Sequence, residues 1–199
     1  MSGAADRPAD LKESPSQTAG PYVHIGCLPN HAGLGGPWAE DLGARPFADD
    51  APGTRVVVTG CLLDGTGTPL RDAMVEIWQA DAAGRYAGGG AAGFARRASD
   101  AETGLWRLET IKPGAVPGPD GRIQAPHLTL WIVARGINLG LHTRMYFPDE
   151  TAANAADPVL GRIEQTARAR TLVAEARGDG VYHFDIHLQG EKETVFFDV

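Results

Sequence analysis

After residue 53, apolar and polar positions alternate with a period of two through most of the chain. Thr54–Leu63 (TRVVVTGCLL) is rich in β-branched residues and is bounded by Gly53 and an Asp64-Gly65 turn, which predicts a strand. In Ala73–Gln79, Met74, Glu76 and Trp78 fall on one side and Val75 and Ile77 on the other. Leu105–Ile111, His127–Ala134 and Leu141–Phe147 predict three more strands, the last two joined through RGINLG. Val181–Leu188 sets Tyr182, Phe184, Ile186 and Leu188 against His183, Asp185 and His187, while Arg170–Ala176 and Thr194–Val199 complete the set. One stretch departs from this rhythm. Asp149–Ala156 is Ala-rich, and Asp157-Pro158 has the form of an N-cap followed by proline, predicting a second helical piece to about Thr166. Many short strands with Gly and Pro turns and short helical insertions give a mainly β protein, a β-sandwich.

Punctuation divides the chain into three parts. Residues 1–14 form a polar, Pro/Ala-rich tail, expected to be mobile until something docks it. Residues 15–53 hold many Gly and Pro residues and read as an irregular arm, and 54–199 carry the strands. Residues 82–102 are Gly/Ala-rich and are expected to form one long loop, a length that is usually functional or disordered. A second loop, KPGAVPGPDG, follows the Leu105–Ile111 strand.

Composition narrows the function. A chain of 199 residues with 43% hydrophobic and 22% charged residues suits one globular domain with its own core. The net charge of -7 argues against nucleic acid, whose phosphates need a basic face. It also gives no general attraction to anionic substrates, so a carboxylate substrate would need a local Arg. Cys27 and Cys61 read as free thiols rather than a disulfide framework. The first residues lack an apolar signal core, and the longest apolar run, near Leu128–Ala134, is too short to span a bilayer. A cytoplasmic location without membrane association is the expectation.

Candidate chemistry is sparse. His183, Asp185 and His187 share one strand face and could in principle hold divalent iron. Alternate strand residues stand roughly 7 Å apart, which suits the polar face of a half-buried strand better than one ion. His127 opens a strand, but its same-face neighbour is Thr129, so the His-x-His pair that would ligate a metal is absent. No nucleophile elbow, phosphate loop or dinucleotide fingerprint occurs, and glycines 88–90 precede no strand-helix phosphate site. Arg135 ends an apolar strand directly before Gly136. Its guanidinium could bind a carboxylate bidentately or pair with one of the 25 acidic residues.

Five stretches now fall into a known order: SPSQTAGPYVHIG, VEIWQADAAGRY, LWRLETIKPG, APHLTLWIVARGINLGLHTRMYFPDE and GEKETVFFDV. EIWQAD with IKPG resembles the intradiol ring-cleaving dioxygenases. SQTAGPY, ARGIN, HTRMYF and ETVFFD together resemble the α chains of the protocatechuate 3,4-dioxygenase type, from about Ser14 to Val199.

The resemblance implies a β-sandwich of the intradiol type and a heteromeric enzyme. Catalytic chains of the family hold ferric iron with two Tyr and two His. Those positions match Tyr86, Val116, His127 and Thr129 here, so two of the four ligands are missing and this chain is expected to hold no iron. Fe3+ would then belong to a partner β chain in a larger αβ hetero-oligomer. Thr18, Gly20 and Pro21 match the α-chain loop that borders the substrate pocket. Tyr22 matches the phenol that hydrogen-bonds the β chain's axial Tyr after substrate displaces it from iron, and Arg135 matches an α-chain Arg at the pocket. The implied reaction is cleavage of 3,4-dihydroxybenzoate by O2 to 3-carboxy-cis,cis-muconate. A self-sufficient iron dioxygenase and a non-catalytic β-sandwich binding or scaffold module are the competing readings.

Overall fold

β1 (Arg55–Leu63) buries Val56, Val58 and Leu62 on its inward face, as its alternation requires. β4 (Leu105–Ile111) pairs with it antiparallel and adds Trp106 and Leu108 to the same face. β10 (Val181–His183) and β11 (Ile186–His187) both run parallel to β1, and β9 (Glu175–Ala176) pairs antiparallel with β10. The second sheet has the order β3–β2–β7–β8, with β2 Met74–Trp78, β3 Phe94–Ala98, β7 His127–Val133 and β8 Leu141–Tyr146. Val75, Ile77, Leu128, Leu130, Ile132 and Met145 face the first sheet across one core. The fold is therefore the β-sandwich that the strand pattern predicts. This computed structural model describes residues 15–20, 22–87 and 92–198. The tail 1–14, Pro21, residues 88–91 with the three glycines 88–90, and Val199 lie outside the described residues.

Several boundaries differ from the sequence expectation. The 82–102 segment is not wholly loop, because β3 pairs along β2. Its Phe94-Ala-Arg-Arg-Ala98 sequence lacks the β-branched signature, and tertiary pairing decides the conformation. The long Val181–Leu188 strand breaks between β10 and β11. The Phe184 carbonyl there comes so close to Gly60 that a Cβ on Gly60 would lie 1.8 Å from it. The proposed helix after Asp157 shrinks to a 3-10 turn, Leu160–Arg162, followed by the separate helix α3, Thr166–Arg170. The capping chemistry is nevertheless present: the Asp157 carboxylate accepts the Val159 and Leu160 amides at 2.8 and 2.9 Å. Helix α2 occupies Thr151–Ala156. The C-terminal strand reduces to a bridge between His142 and Phe197, and the KPG loop contains the hairpin of β5 (Val116–Pro117) and β6 (Ile123–Gln124).

The outer face of the second sheet positions the candidate sites. At one end the arm lies across it. Leu28 packs on Met74 and Val133, with Val23 and Trp131 alongside. Arg96 reaches the Cys27 carbonyl, and Arg97 reaches those of Gly43 and Ala44. Within the arm, Val23–Cys27 forms the short helix α1. At the other end, Tyr146, Ala125 and Leu172 form a separate apolar cluster with Leu160 and Ile163.

Candidate functional site

Thr18 ties the arm to the turn that follows β7. Its hydroxyl donates to the Ala134 carbonyl at 3.1 Å and accepts the Gly136 amide at 2.7 Å. These are the two neighbours of Arg135, so one side chain of the arm fixes the backbone on both sides of that guanidinium. Arg135 Nε lies 3.0 Å from Asp72 Oδ2, and its side chain remains 70% exposed. The acidic partner of one sequence reading is thus present, and most of the guanidinium stays exposed. An exposed pair of this kind contributes little to stability, roughly 0–1 kcal/mol.

Asp72 also links Arg135 to α1. The next residue, Ala73, accepts a hydrogen bond at 3.3 Å from Nε2 of His24, and burial holds the His24 imidazole below its ordinary range. Tyr22 stands at the start of α1 with 77% of its surface exposed. Gly20 accepts the Val23 amide, and a Cβ on it would meet nothing within 4 Å. Among the described residues no direct hydrogen bond joins Tyr22 to Arg135; the arm brings them to one region through Thr18 and His24. Pro21 lies outside the described residues. Beside Arg135 a cleft of about 500 Å³ is lined by Leu70, Ile137, Asn138, Leu139 and Leu141.

The four positions matched to metal ligands gather at the opposite end of β7. Trp78, Thr129 and Arg144 are cross-strand neighbours in one row across β2, β7 and β8, and His127 is opposite Tyr146 in the next. Tyr86 stacks on Trp78 with ring planes 2° apart. Val116 is buried opposite Gln124 in the β5–β6 hairpin. His127 is buried, and its Nδ1–H donates to the Ala125 carbonyl at 2.7 Å. Burial, with the Arg144 charge adding to it, lowers the His127 pKa to about 4. Burial pushes the Tyr86 phenol up, while Arg144 draws it down.

Sequence reasoning passed over the polar residues that organise this end. Arg144 Nη1 donates to Gln124 Oε1 at 2.6 Å and to the Tyr146 hydroxyl at 3.3 Å. Tyr146 donates to Asp157 Oδ1 at 3.2 Å, and Asp157 Oδ2 accepts the Ala125 amide at 2.8 Å. The alternation of His142, Arg144 and Tyr146 along Leu141–Phe147 was the available signal, since it sets them on the same face as Thr129 and His127.

The His183, Asp185, His187 face has a structural explanation. His183 Nε2 lies 3.1 Å from Asp185 Oδ1, and its Nδ1 lies 3.0 Å from the Thr59 hydroxyl. Asp185 also accepts the Cys61 amide. Both nitrogens of the His183 ring are therefore engaged within the sandwich edge. Among the described residues no group of three or more His, Cys, Asp or Glu side chains is placed to hold a metal ion.

A dioxygenase family model matches residues 29–190. The protocatechuate 3,4-dioxygenase alpha chain of Pseudomonas putida is 47% identical over 197 residues, covering 94% of this chain and 97% of that one. The protocatechuate 3,4-dioxygenase beta chain of Burkholderia cepacia is 36% identical, covering 80% of this chain and 75% of its own length. Among solved structures, the dioxygenase domain of a carbohydrate-binding fusion protein from Streptomyces sp. SirexAA-E matches with a TM-score of 0.57 at 25% identity. That match covers 76% of this chain and 87% of that chain. The chain belongs to the intradiol ring-cleaving dioxygenase family. Within that family it is similar over nearly its whole length to protocatechuate 3,4-dioxygenase alpha chains.

Intradiol dioxygenases are iron-dependent. The four positions that the resemblance implies as ligand positions do not fit iron. Val116 presents a buried isopropyl group with no donor atom, Thr129 is a poor ligand, and a guanidinium stands in the same row. Tyr86 and His127 alone leave the coordination half supplied. Among the described residues no helix is long and apolar enough to cross a membrane.

Proposed function

We propose that this chain is the α-type subunit of a protocatechuate 3,4-dioxygenase, building one wall of a pocket completed by a partner β chain that holds Fe3+. The observation that carries this reading is the double hydrogen bond from Thr18 to the residues on either side of Arg135. It joins two segments, SQTAGPY and ARGIN, that are 118 positions apart and that match pocket-lining segments of the α chains.

The substrate is 3,4-dihydroxybenzoate, cleaved with O2 to 3-carboxy-cis,cis-muconate. A ferric ion held by the partner would supply chelation of the catecholate and activate its ring toward O2. Arg135 gives positive potential and a carboxylate partner in a protein whose net charge of -7 would otherwise repel the substrate. Gly20, where a Cβ would meet nothing within 4 Å, lets backbone approach the ring, and Pro21 follows it in the sequence. Tyr22 offers an exposed hydroxyl that can donate to or accept from a phenolate oxygen across the interface. Thr18 borders the pocket and also holds the backbone on both sides of Arg135.

The arm supports the partnership. Tyr22, Ile25, Leu34, Trp38 and Leu42 are all exposed apolar side chains within 21 residues, and Trp38 is 69% exposed. Such a concentration suits burial against another chain. We read the assembly as a higher αβ hetero-oligomer in the cytoplasm, where Cys27 and Cys61 stay reduced.

Expression of this chain alone and together with its candidate β chain tests the reading through iron content and O2 uptake on 3,4-dihydroxybenzoate. Iron and activity confined to the co-expressed complex support it. Iron and ring cleavage by the lone chain would overturn it, and a β chain equally active without this chain would leave a scaffold role.

A further inference from the structure

We propose that the Arg144 guanidinium is the resident cation beside Tyr86, Val116, His127 and Thr129, and that it bars a metal ion from this chain independently of the two missing ligands. Arg144 is the direct cross-strand neighbour of Thr129, so both side chains leave the same face of the sheet side by side. The guanidinium is held there. Nη1 bonds Gln124, the residue paired with Val116 across the β5–β6 hairpin, and it also reaches the Tyr146 hydroxyl. One anchor therefore leads to the Val116 corner and the other to the neighbour of His127. Its field reaches both Tyr86 and His127, the two side chains in the set that keep a phenol or an imidazole.

The supporting shell is built around this cation. Tyr146 passes the connection to the buried Asp157 carboxylate, which in turn holds the Ala125 amide two residues before His127. The chain that fixes Arg144 thus also fixes the backbone leading into His127. A metal ion brought to the same place would face a positive charge that cannot be titrated away, anchored by hydrogen bonds that would have to break. Loss of ligands is enough to weaken a metal site, but a fixed cation adds repulsion that new ligands do not remove. The inference concerns this chain's own residues and stands whether or not a partner supplies iron.

Two pairs of variants of the full chain test it. In the first, Val116→Tyr with Thr129→His supplies the missing donor types, with Arg144 kept in one protein and changed by Arg144→Gln in the other. Both are loaded with Fe3+, and metal content and the visible tyrosinate-to-iron absorption are read. The protein that keeps Arg144 stays essentially iron-free and colourless, and the one without it takes up about one ferric ion per chain and colours. In the second pair, Thr129→His alone, with and without Arg144→Gln, is titrated with Zn2+ by calorimetry. This pair leaves the hairpin untouched, so it answers the question even if the larger substitution does not fold. Removal of the guanidinium tightens Zn2+ binding by about tenfold or more. Iron uptake with Arg144 in place, or Zn2+ affinity indifferent to it, would overturn the proposal.

Discussion

Thr18 Oγ1 accepts the Gly136 amide at 2.7 Å while donating to the Ala134 carbonyl, so the arm holds the turn at Arg135 from both sides. Its consequence is that loosening the arm and misplacing Arg135 are the same event. Thr18→Val keeps the shape and removes both bonds, each worth about 1 kcal/mol. In the αβ complex this raises KM for 3,4-dihydroxybenzoate roughly five- to thirtyfold with kcat little changed. Thr18→Ser restores the hydroxyl and recovers most of the loss. Steady-state O2 uptake by the three proteins decides the matter; equal KM values would detach Thr18 from the pocket.

Arg135 itself is tested with two substrates. Arg135→Ala removes a charge-assisted contact worth about 1.5–3 kcal/mol, so kcat/KM for the carboxylated catechol falls roughly ten- to 150-fold. Unsubstituted catechol, lacking the carboxylate, loses far less. Arg135→Lys keeps charge but not the fork and falls between them. A parallel loss on both substrates would move Arg135 from carboxylate recognition to a general structural role. Because its ion pair with Asp72 is largely exposed, the folding stability of Arg135→Ala stays close to that of the parent.

The sandwich core was legible because apolar alternation and burial are the same physical fact viewed twice. Val75 and Ile77, or Tyr182, Phe184 and Ile186, point where the period of two sends them. The break at Phe184–Asp185 was hidden because no local residue announces it. The break reflects the Phe184 carbonyl closing on Gly60, more than 120 residues away. β3 was hidden for a related reason: Arg96 and Arg97 are poor strand residues that become favourable only once Glu76 and the arm's carbonyls receive them. The motif resemblance singled out Thr18, Tyr22 and Arg135, and the structure joins Thr18 to the backbone on both sides of Arg135. The Arg144–Tyr146–Asp157 chain was legible only in part: Arg144 and Tyr146 share a face of β8 that the alternation shows, while Asp157 stands at the end of α2 and nothing local announces its partners.

Asp157 is the node that holds α2, the 3-10 turn and the entry to β7 together. Its buried carboxylate accepts the Ala125, Val159 and Leu160 amides and the Tyr146 hydroxyl. Asp157→Ala leaves these four donors without their acceptor. At about 1–3 kcal/mol for each donor that water cannot reach, the loss is of the order of 3 kcal/mol or more. Asp157→Asn keeps an acceptor oxygen and costs less. Urea unfolding of both variants checks the order, and an Asp157→Ala protein as stable as the parent would show that water replaces the carboxylate.

His127 gives the chain a specific acid sensitivity. Its ring is buried neutral, with Nδ1–H on the Ala125 carbonyl, and its pKa in the folded chain is about 4 against roughly 6.5 when unfolded. Between those values the unfolded state binds the extra proton, so stability falls as pH falls through the window from about 6.5 to 4 and is fully present above it. The linkage amounts to roughly 2 kcal/mol lost on going from pH 7.5 to pH 5, within an upper bound near 3 kcal/mol for the whole window. The carboxylates of Asp64, Asp81 and Asp100, which hydrogen bonds hold below their ordinary range, lose their contribution at lower pH and do not mimic this step. His127→Gln keeps a polar side chain at the position and has no proton to gain. Denaturant unfolding at pH 7.5 and pH 5 should therefore show the parent losing about 2 kcal/mol more than the variant. If both lose the same amount, the imidazole is already hydrated in the folded chain, and the sealed packing of His127 against Tyr146 is not the state that populates solution.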